Sequence, residues 1–149
     1  MTNHLLVGAI ISKAITNPLA LPVAFASHFL LDTLPHFGFK SPDQRLEHRR
    51  LLFTIIALDF IVSASFLGYL LYSGHYFTSL VAIVAYSPDL LWIYRFTVVE
   101  KLGKIKPNID HASFFVKFHI NIQKLERIWG IGIEIFLVAI FANVYMGLK

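Results

Sequence analysis

Two imidazoles and a carboxylate at intervals of four stand out in a largely apolar run. In "SHFLLDTLPHFG" (27–38) they are His28, Asp32 and His36. On a helix, residues four apart lie one above the other on one face. His28 and Asp32 can therefore offer a nitrogen and an oxygen to a single cation. His36 lies one turn further on, beyond Pro35, where the helix is expected to end. Other groups can join them. His4 lies in the short apolar piece "HLLVGAIIS" (4–12). His119, Gln123, Glu126 and Glu134 fall at offsets 0, 4, 7 and 15, a single stripe if one helix continues through Gly130 and Gly132. The chain has no cysteine, so thiolate sites are excluded. Imidazoles and carboxylates without sulfur suit a divalent cation, zinc foremost, with Mn, Fe or Mg as alternatives.

Four apolar windows must position these groups: 14–35, 51–72, 76–94 and 128–148. A helix crossing a bilayer needs about 20 residues. The chain is 56% hydrophobic and only 15% charged, with a mean hydropathy of +0.65. A soluble domain carries about 25% charged residues, so much of this apolar surface calls for lipid. "AFAS" (24–27) resembles a signal-cleavage site, but Lys13 and Asn17-Pro18 interrupt the run before it, so the segment reads as part of the folded chain. The expected fold is therefore a single all-α membrane domain over residues 1–149, a polytopic bundle of about four long helices. A short N-terminal half-helix would precede them, set off by Asn17-Pro18 as a hairpin or a bent entry. "SPDQ" (41–44) reads as a capping box starting the second long helix near Pro42. Asp110 can cap an interfacial amphipathic helix from about His111, carrying Phe114, Phe115, Phe118, Ile122 and Leu125.

Each window also carries one acid: Asp32, Asp59, Asp89 and Glu134. An ionised side chain at a helix centre costs roughly 2.5–3.5 kcal/mol on the insertion scale, so four of them require a reason. Eleven of the thirteen Lys/Arg lie in 40–50 and 95–127, and the turn at 72–77 has none. The positive-inside rule puts both basic segments in the cytoplasm, consistent with a bacterial plasma membrane. Counted from Arg50, Arg95 and Arg127, the acids Asp59, Asp89 and Glu134 then lie about 9–13 Å deep, and all four acids can meet in the cytoplasmic half. Asp59, Glu134 and Glu126 are the candidate catalytic carboxylates. His4, His28, Asp32, His36, Asp89 and His119 are the candidate metal ligands.

Ordinary roles account for other residues. His75 sits in a turn and His111 at a helix start. His48, beside Arg49 and Arg50, suits lipid headgroups. Ser87-Pro88 could break a helix that Asp89 restarts as a cap.

"NHLLVGAIIS", "SHFLLDTLPH" and "SPDLLW" together resemble the membrane-bound metal-dependent hydrolases of bacteria, thought to be distant relatives of the zinc-dependent phospholipase C fold. The resemblance implies an all-α protein holding metal through a near-N-terminal His, His-x-x-x-Asp pairs and further His/Asp residues. Here those positions are His4, His28–Asp32, Asp89 after Pro88, and His119. It implies a hydrolase at the cytoplasmic membrane face, acting on a phosphoester or lipid-linked substrate. Membrane lipid is the expected partner, an anionic lipid a candidate substrate, and nucleic acid is not expected. Two other readings stay open: a cation- or proton-translocating protein that uses the acids as a relay, and a structural protein whose polar cluster fixes helix packing.

Overall fold

The computed structural model describes residues 2–39, 41–94, 98 and 114–148. The loop expected at 101–110, with Arg95, Lys101, Lys104, Lys106, Asp110 and His111, lies outside them. Among the described residues the chain is all-helical: α1 (Thr2–Ala14), α2 (Ala20–Asp32), α3 (Pro42–Glu47), α4 (Arg49–Tyr72), α5 (Tyr76–Tyr94), α6 (Phe114–Ile122) and α7 (Gly130–Gly147).

α1 and α5 form the central pair, with α2, α4 and α7 around them. Their contact is close because residue 8 has no side chain. A Cβ at Gly8 would lie 2.7 Å from the Ala82 Cα and 2.9 Å from the Ala85 Cβ. Asn17-Pro18 ends the first helix, as its chemistry requires. Pro18 has no N–H to donate, and the Asn17 side-chain oxygen accepts from the Leu19 N–H at 2.9 Å. The chain then turns back as a helical hairpin, with α1 packed on α2. The first window thus contains a 13-residue helix only about 20 Å long, short of the roughly 30 Å of a bilayer core. Its buried side is Ala20, Ala24, His28 and Asp32, a stripe at intervals of four. Ala20 and Ala24 pack on Val81 and Ala85 of α5.

Three local expectations are corrected. The helix opened by Ser41, whose Oγ accepts from the Gln44 N–H at 3.3 Å, ends at Glu47, and α4 starts afresh at Arg49. His48 leaves the helical conformation between them (φ −97°, ψ 26°), and its ring stacks on Phe39. Ser87-Pro88 does not break α5, which runs through both residues. Pro88 cannot bond the Val84 carbonyl, but the Ser87 hydroxyl donates to it at 2.8 Å and satisfies the freed acceptor. The stripe from His119 to Glu134 is not one helix, because α6 stops at Ile122 and α7 begins at Gly130. Residues between them pair with the segment after α2 instead. The Arg127 N–H donates to the His36 carbonyl at 3.0 Å, and the Gly38 N–H to the Arg127 carbonyl at 3.3 Å. Gly130 is required there, since any Cβ would collide with the His36 backbone.

α4 and α7 are long and apolar enough to cross a membrane, at 24 and 18 residues. Only 11% and 6% of their apolar windows are buried inside the bundle, so neither is the core helix of a water-soluble domain. Phe60, Ile61, Ile135 and Phe136 all face outward.

Candidate metal centre

The bundle brings five of the predicted ligands to one place. α1 supplies His4 from its first turn, α2 supplies His28 and Asp32 from its last two, α5 supplies Asp89, and α6 supplies His119. Asp32 is the hub. Its Oδ2 lies 2.5 Å from the His119 Nε2 and 3.3 Å from the His28 Nε2, and its Oδ1 lies 3.3 Å from the His4 Nε2. Asp89 closes the other side, with Oδ1 3.9 Å from the His28 Nε2 and Oδ2 4.0 Å from the His4 Nε2. Gln123 adds a donor, its Nε2 3.3 Å from the Asp32 Oδ2. His4, His28, Asp32 and His119 are all buried.

Two groups have the spacing to hold a metal ion: His4, His28 and Asp32, and His28, Asp89 and His119, with ligand atoms in each within 4.8 Å of one another. The surroundings fit that use. The His28 Nδ1 lies 2.9 Å from the Ala85 carbonyl, which can only accept, so Nδ1 holds the proton and a neutral ring turns its Nε2 lone pair to the site. That Nε2 is 3.4 Å from the His119 Nε2. Two nitrogens this close, both beside the Asp32 carboxylate and with the Gln123 Nε2 3.2 Å from the His119 Nε2, suit a shared cation or proton. The stacked His4 and His28 rings, 4.0 Å between centroids, aim both edges the same way.

An open-mouthed cavity of about 140 Å³ leads to this cluster. His4, Asp32 and Asp89 form one end of its wall, and Asp59, Glu126 and Glu134 line it too, with His36, Arg45, Asn3 and Gln123. The acids of all four apolar windows therefore face one space. Apolar side chains, among them Leu52, Ile55, Ile56 and Leu137, make up much of the remainder.

The three candidate catalytic carboxylates are held differently. Asp59 accepts from the Thr2 N–H at 3.1 Å and from the Thr2 hydroxyl at 2.5 Å. That hydroxyl also lies 3.0 Å from the Ser63 Oγ. Asp59 thus ties α4 to the first turn of α1, two residues before His4. Glu126 sits 3.7 Å from the His36 Nε2, an ion-pair separation, and its side chain occupies the space that a Cβ on Gly38 would fill. Glu134 lines the cavity, and its carbonyl accepts from the Asn3 amide at 3.3 Å.

His36 stands apart from both metal-holding groups. Burial disfavours its charge, but the Glu126 carboxylate and the Leu34 carbonyl, 2.8 Å from Nδ1, outweigh that and push its pKa up to about 9. His48 lies against Phe39 and is exposed, and His75 lies in the turn between α4 and α5.

Sequence reasoning placed Gln123 on one stripe with His119 and gave no site role to Asn3 or the Ala85 carbonyl. Gln123 had a signal, its spacing of four from His119. The carbonyl had none, because it becomes available only through tertiary packing.

Comparison with protein-family models, with curated proteins and with solved structures finds no match for this chain.

Proposed function

We propose that this chain is a membrane-embedded, metal-dependent hydrolase working at the cytoplasmic membrane face on a phosphoester or lipid-linked substrate. One observation carries the reading: three buried imidazoles converge on one buried carboxylate at the head of a cavity lined by further acids. A purely structural cluster has no need of an open cavity beside it. The absence of sulfur among the donors favours zinc, with Mn, Fe and Mg as alternatives. A divalent ion held there would supply Lewis acidity and bring the pKa of water down to about 7.

The chain's own residues supply the rest. His28, fixed by Ala85, and Asp32, fixed by His119 and Gln123, set the ligand geometry. Glu134 is the favoured general base, because its carboxyl lines the cavity with a single backbone N–H, that of Phe37, against it, whereas Asp59 is engaged by both the N–H and the hydroxyl of Thr2 and Glu126 faces His36. Arg45, on the cavity wall, offers a guanidinium to an anionic phosphoryl oxygen. The apolar wall suits an amphiphilic substrate. In this reading α4, α5 and α7 span the bilayer, α1 is sheltered among them with α2 packed on the outside of α1 and α5, and the basic segments at 40–50 and 95–127 are cytoplasmic. Leu5, Leu70 and Ala82, packed together in the interior, support a closed outer half over a path for transported ions.

The test is elemental analysis of the purified protein, together with hydrolysis of aryl phosphate mono- and diesters and lipid phosphates. Wild type should retain about one or two metal equivalents and lose activity to chelators, and His28→Ala should lose the metal. Metal-free protein in both forms, after zinc loading, overturns the proposal.

A further inference from the structure

α6 is the least embedded of the helices that build the centre. It packs mainly on α2, yet it delivers His119. Its inward face is Phe115, His119 and Ile122, spaced four and three apart. Phe29 of α2 receives it, with ring centroids 5.8 Å from Phe115 and 5.9 Å from His119. The outward face is Phe114, Lys117 and Asn121, all exposed, with Phe114 86% accessible, and Phe118 lies at its edge, 43% accessible while its ring also meets Phe29 at 5.6 Å. Lys124 is exposed in the turn that follows. Aromatic rings flanking lysines, on a helix leading into an apolar span, match the chemistry of an anionic bilayer surface: rings enter the headgroup boundary and ammonium groups meet lipid phosphates. The location agrees. α6 leads toward the start of α7, the end of that helix that faces the cavity, and Arg49 and Arg50 open α4 at the same end.

We propose that anionic lipid, by binding the outward face of α6, completes the metal centre through His119. The helix has two attachments, His119 to the site and Phe114, Lys117 and the exposed edge of Phe118 to the lipid surface. Each attachment restricts α6 to the position the other requires, so the two bindings are thermodynamically linked and each strengthens the other. In a neutral bilayer the lysines lose the lipid phosphates, α6 is held more loosely, and His119 contributes less to metal binding. The inference rests on the metal reading above and adds its regulation: the centre is fully formed only at a negatively charged membrane.

The experiment measures zinc affinity by competition with a chelating dye, using the full chain in nanodiscs. One set contains phosphatidylcholine alone, the other phosphatidylcholine mixed one-to-one with phosphatidylglycerol. Wild type should bind zinc about ten-fold more tightly in the mixed discs, within the usual range of site-to-site coupling, and high salt should erase the gain. The Lys117→Glu/Lys124→Glu variant, altered only at exposed positions, should show the phosphatidylcholine affinity in both discs. His119→Ala should bind weakly and equally in both. Equal wild-type affinity in the two lipids, or a gain that survives in the double variant, overturns the proposal and leaves the metal reading standing. No zinc binding in either lipid overturns both.

Discussion

The two ends of the cavity differ in how their acids are held. At one end, Asp32 and Asp89 face three imidazoles, and each carboxylate turns one oxygen toward His4 and the other toward His28. Along the rest of the wall, Asp59 is bonded by Thr2, Glu126 faces one raised-pKa histidine, and Glu134 lines the space beside the Phe37 N–H. Carboxylates among imidazoles can hold a cation. A carboxylate bonded to a backbone N–H and a hydroxyl, or paired with an imidazolium, is already compensated and is more useful for positioning. The same residue type thus has two roles, and the partners decide which.

Three substitutions probe that division, beginning with the largest effect. Glu134→Gln should leave metal content at the wild-type level and lower hydrolysis by about 10²–10⁴-fold, the range for loss of a general base. Parallel loss of metal and activity would instead move Glu134 into the cation site. Asp59→Asn should weaken metal binding by about 10–100-fold, as expected of a residue that orients a ligand. Its route is mechanical: Thr2 loses its carboxylate partner and His4 loses its fixed start, so the loss should appear in metal titrations before any substrate is added. Unchanged affinity would place Asp59 with the reacting groups.

The smallest effect concerns His36 and Glu126. The folded-state pKa of His36, about 9, lies above the ordinary 6.5, so the folded form binds the proton more tightly than the unfolded one. Its stabilisation is complete below pH 6.5 and is lost as the pH rises through 9. A partly exposed pair of this kind contributes about 1 kcal/mol or less. Glu126→Gln should flatten the fall in melting temperature as the pH rises from 6.5 through about 9. A slope identical to wild type would show that the pair does not act on folding.

Much of the site was legible because it is local. His28 and Asp32 share a helix face by spacing alone, and Asn17-Pro18 ends a helix by covalent chemistry. The meeting of four acids was expected from equal depths below one basic side, and the four do line one cavity. The single stripe from His119 to Glu134 failed because periodicity cannot see the backbone pairing of Arg127 with His36 and Gly38, a contact between segments some 90 residues apart. The alternative of a break at Pro88, within a window otherwise read as continuous, is ruled out by a local bond. A proline's missing N–H breaks a helix only if the freed carbonyl finds no donor, and Ser87 supplies one.

The sequence by itself determined an all-helical chain, the helix-breaking turn before α2, the His28–Asp32 pair and the outward apolar character of α4 and α7. These follow from side-chain periodicity, proline chemistry and transfer free energy, which act over one or two turns of helix. Only the tertiary structure decided that His4 and His119 join that pair, that Ala85 sets the His28 tautomer, and that His36 turns to Glu126 instead. Those outcomes depend on which helices touch, and the close α1–α5 approach at Gly8 and the α2 stripe on Val81 and Ala85 settle that.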